Sequence, residues 1–293
     1  MIKNKELLYH LVALFTVSVW GTTYVASKVL ITNGLSPAQI FTLRFIIAYS
    51  LMLAMFHKKL LADNIRDELL FAALGITGGS MYFLTENTAL GVSTATNVSL
   101  IVCSCPLVAS ILISIIYKSE HFKRMQILGS LIALAGMATV VLNGHFVLHL
   151  SPIGDALAFG ACLCWAFYSV LMKKVSNRYS SAFITRKTFF YGLVTILPYY
   201  IVKPDFPSLQ LLMRQDVLAN LLFLGCVASM LCYLLWTWCI NKLGVVKASN
   251  WIYFNPITTI IFAWIVLGEE ITVYFISGAA LILVGMYIAD RKA

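Results

Sequence analysis

Charge is what this sequence has least of. Of its 293 residues only 11% are Asp, Glu, Lys or Arg, against about 25% in an ordinary soluble domain. The apolar share is 60% and the mean hydropathy +0.88. A soluble globule is therefore excluded. Acidic residues number 12 and histidines five. No H-E-x-x-H, no G-x-S-x-G and no Walker-type phosphate loop is present, which argues against an intramembrane hydrolase and against ATP as the energy source. A membrane span takes roughly 20 apolar residues, so ten spans use about 200 positions and leave no length for an appended soluble domain. The seven cysteines, among them the pairs Cys103/Cys105 and Cys162/Cys164, all lie inside apolar runs. Cys-x-Cys spacing points to nearly opposite faces of a helix, so they read as small core residues, with no metal and no cofactor expected. The first apolar run is too long for a signal-peptide core and leads into Trp20, Gly21 and Tyr24 without an A-x-A site, so it is expected to remain as a helix.

What is present is ten apolar runs, at approximately 8–28, 37–56, 69–90, 94–117, 125–142, 153–173, 181–201, 217–240, 246–267 and 271–289. The expected fold is an all-α integral membrane protein of ten transmembrane helices. With the N-terminus inside, cytoplasmic segments hold fifteen basic residues (among them Lys58, Lys59, Arg178, Lys242 and Arg291) and external loops hold two, Lys203 and Arg214. Basic residues are retained on the cytoplasmic side, so both termini are expected there, in a multi-pass protein of the cell (inner) membrane. Lys28, Arg44, Arg186 and Lys187 fall within the spans instead.

The two halves of the chain echo each other. Trp20 matches Trp165, each followed eight residues later by lysine, Lys28 and Lys173. Pro106 matches Pro256, each followed fourteen residues later by glutamate, Glu120 and Glu270. Gly129-Ser130-Leu131-Ile132-Ala133-Leu134-Ala135-Gly136-Met137 matches Gly278-Ala279-Ala280-Leu281-Ile282-Leu283-Val284-Gly285-Met286. The expected units are residues 1–145 and 152–293, five helices each. An odd number per half makes the second repeat inverted, and such repeats place a binding site near the midplane where they meet. Asn97 and Asn250 fall at different distances from the matched prolines and are not equivalent positions.

Five plus five spans, a first helix reading Trp20-Gly21-Thr22-Thr23-Tyr24-Val25-Ala26-Ser27-Lys28, and a proline followed by glutamate in the fourth and ninth spans together resemble the EamA-type transporters of the drug/metabolite transporter superfamily. The resemblance covers essentially the whole chain. It implies a secondary transporter of small metabolites, often an exporter of amino acids or related compounds, with spans 1, 3, 4, 6, 8 and 9 around a central cavity. The second half departs from the pattern in having Ala166 where Gly21 follows Trp20.

Ionisable groups at membrane depth are costly and mark candidate sites. Glu86 is the one acidic residue well within a span, on the helix face of Tyr82 and Gly79. It reads either as a proton or cationic-substrate site or as a carboxylate neutralised by Arg44 or Lys28. Arg44 offers a planar fork for a substrate carboxylate, though such an arginine more often pairs with a neighbour or reaches the interface, and Arg186 and Lys187 are expected to snorkel. The aromatic pairs Trp20/Tyr24, Trp165/Tyr168 and Tyr233/Trp236 each line one helix face. In a cavity they form apolar walls with polar handles suited to amphipathic metabolites and amines; otherwise they form interfacial belts. Pro106 and Pro256 remove backbone donors and are expected to free the carbonyls of Val102 and Ile252. They are the candidate hinges, with Ser104 and Asn255 beside them as candidate substrate contacts. Gly75, Gly79, Gly129, Gly136, Gly278 and Gly285 read as close helix packing.

The functional expectation is a non-enzymatic secondary transporter, an exporter of amino acids or related amphipathic compounds working by alternating access. Its expected partners are a small metabolite, membrane lipid and protons as a candidate coupling ion, with no nucleic acid, in a monomer or weak homodimer. The alternatives are an intramembrane lipid-modifying enzyme and a non-transporting receptor.

Overall fold

The computed structural model describes residues 2–93, 95–117, 124–142, 151–259, 261 and 272–290, and every regular element among them is helical. Glu120 and Glu270 lie outside the described residues, as does the side chain of Asn97. Helix α1 (Ile2–Thr32) ends where Gly34 turns to φ +97°, with the Leu35 and Gly34 N–H groups donating to the carbonyls of Leu30 and Ile31. This left-handed stop is one that glycine makes without steric penalty. Ser36 then caps α2 (Pro37–Met55) in a reciprocal pair with Gln39, and Pro37 supplies a helix-ready φ at the first turn.

Helix α3 spans Ile65–Val92 and α9 spans Gln215–Leu243. Both contain a π-helical stretch, Ile76–Ser80 in the one, where the helix kinks at Gly79 (φ −132°, ψ −105°), and Phe223–Leu231 in the other. Between them run α4 (Ala95–Val102), α5 (Cys105–Ile116), α6 (Arg124–Leu142), α7 (Pro152–Val175) and α8 (Ser181–Val202). The chain closes with α10 (Val245–Asn250), a 3-10 turn at Trp251–Phe254, a helical stretch over 255–259, and α11 (Val273–Asp290). Among the described residues, five helices are long and apolar enough to cross a membrane: Glu6–Thr32, Pro37–Met55, Ile65–Val92, Pro152–Val175 and Gln215–Leu243. Shorter apolar helices accompany them.

Among the described residues the expected run 69–90 is kinked at Gly79, and two others are not continuous helices. The run 94–117 breaks at Cys103–Ser104, one turn before Pro106, because the imide cannot donate and its ring crowds the preceding turn. The run 246–267 begins as α10 and tightens into the 3-10 turn before Pro256. There the Ile252 carbonyl, which proline would leave free, accepts from the Asn255 N–H.

Packing is closest where the halves meet. Helices α6 and α11 run antiparallel, and a Cβ on Gly129 would lie 2.3 Å from the Ala289 nitrogen, one on Gly136 2.7 Å from the Gly278 oxygen. Gly75 lies as tightly against Tyr191 of α8, and Gly225 against Ile47 of α2. The rings of Trp20 and Trp165 meet at 5.4 Å and those of Phe45 and Phe189 at 4.8 Å, both edge to face. Large apolar side chains such as Ile115, Ile153 and Ile201 face outward, as a lipid-facing surface requires.

Candidate functional site

A cavity of about 40 Å³, room for a few water molecules, lies at the centre of these contacts. Helix α1 contributes Trp20, Thr23 and Tyr24, α2 contributes Arg44, and α3 contributes Tyr82, Phe83 and Glu86. Val102 and Cys105 reach it from either side of the α4/α5 break, Trp165 from α7, Tyr233 from α9, and Ile252 and Asn255 from the segment around the 3-10 turn. Each of the six spans implied by the family resemblance therefore lines it, and α2 joins them.

The backbone irregularities supply the polar anchors. Tyr233 donates its hydroxyl to the Gly78 carbonyl at 2.8 Å, and Trp20 donates its indole N–H to the Ala228 carbonyl at 3.0 Å. Both carbonyls belong to the π stretches, where the widened turn disturbs the regular helical bonding; such bulges recur at functional sites. Gly21 lets the 255–259 segment approach α1, since a Cβ there would lie 2.7 Å from the Asn255 oxygen. Ala166, the corresponding residue of the second half, is itself fully buried.

Glu86 accepts a hydrogen bond from Tyr82 at 2.7 Å. Neither basic neighbour forms an ion pair with it. Lys28 donates instead to the Leu90 carbonyl at 2.7 Å, and Arg44 donates to the Ser229 hydroxyl at 2.8 Å with its guanidinium carbon 4.4 Å from the Phe83 ring centre. Arg44 is only 2% exposed and, among the described residues, forms no ion pair, so the expected pairing is corrected to a buried cation held by a hydroxyl and a ring. The Trp165 N–H and the Asn255 side-chain oxygen are buried without a hydrogen-bond partner. The cavity wall thus carries a carboxyl group, a guanidinium, a spare donor and a spare acceptor on an aromatic frame.

Of the sequence candidates, Trp20, Tyr24, Tyr82, Glu86, Trp165, Tyr233 and Asn255 converge on this cavity. Three do not line it. Ser104 donates to the Ile101 carbonyl at 2.6 Å and faces Cys162, closing its own turn. Tyr168 packs beside Trp165 and against Gly78, and Trp236 sits behind Trp20 at 5.1 Å. Thr23, Phe83, Val102, Cys105 and Ile252 were not among the substrate-contact candidates: Phe83 adjoins Tyr82, Val102 and Ile252 stood out only as carbonyls freed by the prolines, and Cys105 only as a small core residue.

A second polar cluster joins the halves at the end of the bundle that holds the α2–α3 connection. Asp67 accepts from Arg178 at 2.5 Å and from Tyr179 at 2.6 Å, and Glu68 pairs with Lys187 at 2.6 Å. Arg186 donates to the carbonyls of Phe56 and Lys59. Arg186 and Lys187 are 2% and 3% exposed, so the snorkelling expectation is corrected: both turn inward because the α2–α3 connection brings them acceptors. Burial, with the Asp67 hydrogen bond, pushes the Tyr179 phenol up to about 12.

The model of the EamA-like transporter family matches the sequence over residues 7–142 and again over 152–289. The chain belongs to the EamA-like transporter family. Among similar proteins, an "Uncharacterized transporter" of Archaeoglobus fulgidus is 24% identical over 97% of each chain. A "Probable terminal-alkyne amino-acid exporter" of Streptantibioticus cattleyicolor is 24% identical over 94% of this chain and 91% of its own. A solved crystal structure shares the fold with a TM-score of 0.75 at 17% identity, covering 96% of this chain and 97% of the other. The EamA-like chain described here is accordingly a multi-pass, all-helical membrane protein of a transporter family, and the relatives' names fit a non-enzyme.

Proposed function

We propose that this protein is a secondary transporter of small amphipathic metabolites, with amino acids and their relatives as the substrate class, exporting across the cell membrane by alternating access between two inverted repeats. The observation that carries the reading is the central cavity, whose wall is drawn from both halves and combines Glu86, Arg44 and unpartnered polar atoms with aromatic faces. A carboxylate and a guanidinium suit a substrate bearing both an ammonium and a carboxylate group. The rings of Trp20, Trp165 and Tyr233 suit its apolar part.

The inverted-repeat reading, with units 1–145 and 152–293, draws support from contacts that map onto themselves when the halves are exchanged at an offset between 144 and 150 residues. Trp20 meets Trp165 and Phe45 meets Phe189, as residues on a two-fold axis do. Gly75 on Tyr191 is mirrored by Gly225 on Ile47, Gly129 near Gly285 by Gly136 near Gly278, and each third helix carries its π stretch. The cavity as it stands holds only water-sized occupants, so loading a metabolite requires the halves to rock apart. The breaks before Pro106 and Pro256 are the proposed hinges. Positive-inside placement puts both termini and the Asp67/Glu68 cluster on the cytoplasmic side. Glu86, able to exchange its proton with the cavity, is the proposed site of proton coupling.

The test is counterflow and pH-gradient-driven uptake of an amino-acid panel in proteoliposomes. At least one zwitterionic substrate is expected to accumulate, with Glu86→Gln abolishing the dependence on the pH gradient and Arg44→Gln weakening binding. Flux of no panel member, with ligand binding retained, would favour a receptor instead.

A further inference from the structure

A larger cavity, of about 450 Å³, opens at the end of the bundle that carries the α2–α3 connection. Its wall is basic. His57, Lys58 and Lys59 come from the stretch after α2, Arg178 from the turn between α7 and α8, and Arg186 from the second turn of α8, with no acidic side chain lining it among the described residues. Asp63 and Asp67, which do not line it, engage Lys59 and Arg178 at 2.6 and 2.5 Å. Arg186 is held in place by two backbone carbonyls rather than a carboxylate. Lys58 and His57 make no hydrogen bond or ion pair among the described residues. Four fixed positive charges facing two carboxylates leave a net excess of about two, an arrangement that attracts anions near a membrane surface.

Apolar side chains adjoin it: Met55 lines the cavity and is 58% exposed, and Leu60 and Leu61, directly after the lining Lys59, are 57% and 71% exposed. A soluble anion has no use for such a surface, whereas the acyl chains of a lipid cover it. We propose that this cavity binds the phosphate headgroup of an anionic phospholipid, with its acyl chains lying over Met55, Leu60 and Leu61. Phosphatidylcholine is disfavoured because its ammonium meets the same excess of positive charge. The cavity wall is shared between the α2–α3 connection and the α7–α8 turn, so the bound lipid spans both halves of the chain and adds to the Asp67–Arg178 and Glu68–Lys187 contacts there.

The probe is native mass spectrometry of the full chain released from micelles doped with equal amounts of phosphatidylglycerol and phosphatidylcholine. Each basic group near an anionic surface contributes about fivefold in binding, so two uncompensated charges give a preference on the order of 25-fold for phosphatidylglycerol. Lys58→Ala is expected to lower it about fivefold and Lys58→Arg to keep it. Because Lys58 touches no partner, neither variant threatens the fold, and an unchanged thermal midpoint checks this. Equal retention of the two lipids, or a preference indifferent to Lys58→Ala, overturns the proposal. Displacement of phosphatidylglycerol by excess inorganic phosphate would reassign the shared phosphate chemistry to a soluble anion and likewise overturn the lipid.

Discussion

Replacing Lys187 by methionine keeps the length and bulk of the side chain while removing its charge, which leaves Glu68 as an uncompensated carboxylate between α3 and α8. The pair lies 2.6 Å apart with side chains 4% and 13% exposed. Truncating one member of a buried pair costs ~3–5 kcal/mol. Glu68 would keep its hydrogen bonds from the Tyr191 hydroxyl, at 2.5 Å, and the Ala62 N–H, at 2.7 Å. The expected loss for Lys187→Met is therefore at the lower end, about 3 kcal/mol. Glu68→Gln alone strands the ammonium, which retains the Leu60 carbonyl at 3.3 Å and the Tyr191 ring at 4.9 Å, and is expected to cost about 2 kcal/mol. The double variant removes both charges and leaves the amide to accept from Tyr191, so its expected cost is about 1 kcal/mol, far below the sum of the singles. Titration with a denaturing detergent, followed by tryptophan fluorescence, measures all three. A Lys187→Met variant within about 0.5 kcal/mol of wild type, or a double variant as costly as the two singles together, would refute the reasoning.

Two further outcomes follow from local geometry. Gly136→Leu places a side chain against the backbone of Gly278 and Ile282, both 2.7 Å from the added Cβ, and is expected to cost at least about 2 kcal/mol because backbone cannot rotate away. Gly91→Ala, with nothing within 4 Å, is the control, and equal effects of the two in a thermal melt would contradict the packing. The hydrogen bond from Lys59 holds the Asp63 carboxyl below the usual carboxylate range. A lowered folded value means its contribution is present at neutral pH and is lost as pH falls through that value. Asp63→Asn should therefore flatten the acid side of a stability profile while leaving its neutral to alkaline side parallel to wild type.

Much of the cavity was legible because residues costly or bulky at membrane depth are conspicuous in an apolar chain. Glu86, Arg44, Trp20 and Trp165 stand out by chemistry alone, and helical spacing adds Tyr24 and Tyr82. Spacing did not separate Tyr233, which reaches the cavity, from Trp236, which sits behind Trp20, because one helix turn fixes a shared face but not which residue of it meets a neighbour. Ser104 looked like a substrate contact by standing next to Pro106; the turn at the break consumes its hydroxyl. Val102, Cys105 and Ile252 carry no signal as substrate contacts, and backbone irregularity alone brings them to the cavity. The two π stretches left no trace in the apolar pattern, since an i to i+5 bond changes the register of a helix without changing its composition.

Scarcity of charge determined from the sequence alone that the chain is a membrane bundle, because too few polar groups remain to build anything solvated, and the echo between the halves pointed to family and internal duplication. What tertiary structure decided is the fate of each rare charge. Arg186 and Lys187 could have reached for the interface, and Arg44 could have paired with Glu86. Instead, the α2–α3 connection turns the first two inward onto Phe56, Lys59 and Glu68, and the π stretch of α9 presents Ser229 to Arg44. Burying a charge is costly unless a partner is within reach, and partners more than 100 residues away in the chain are brought together only by the packing of helices.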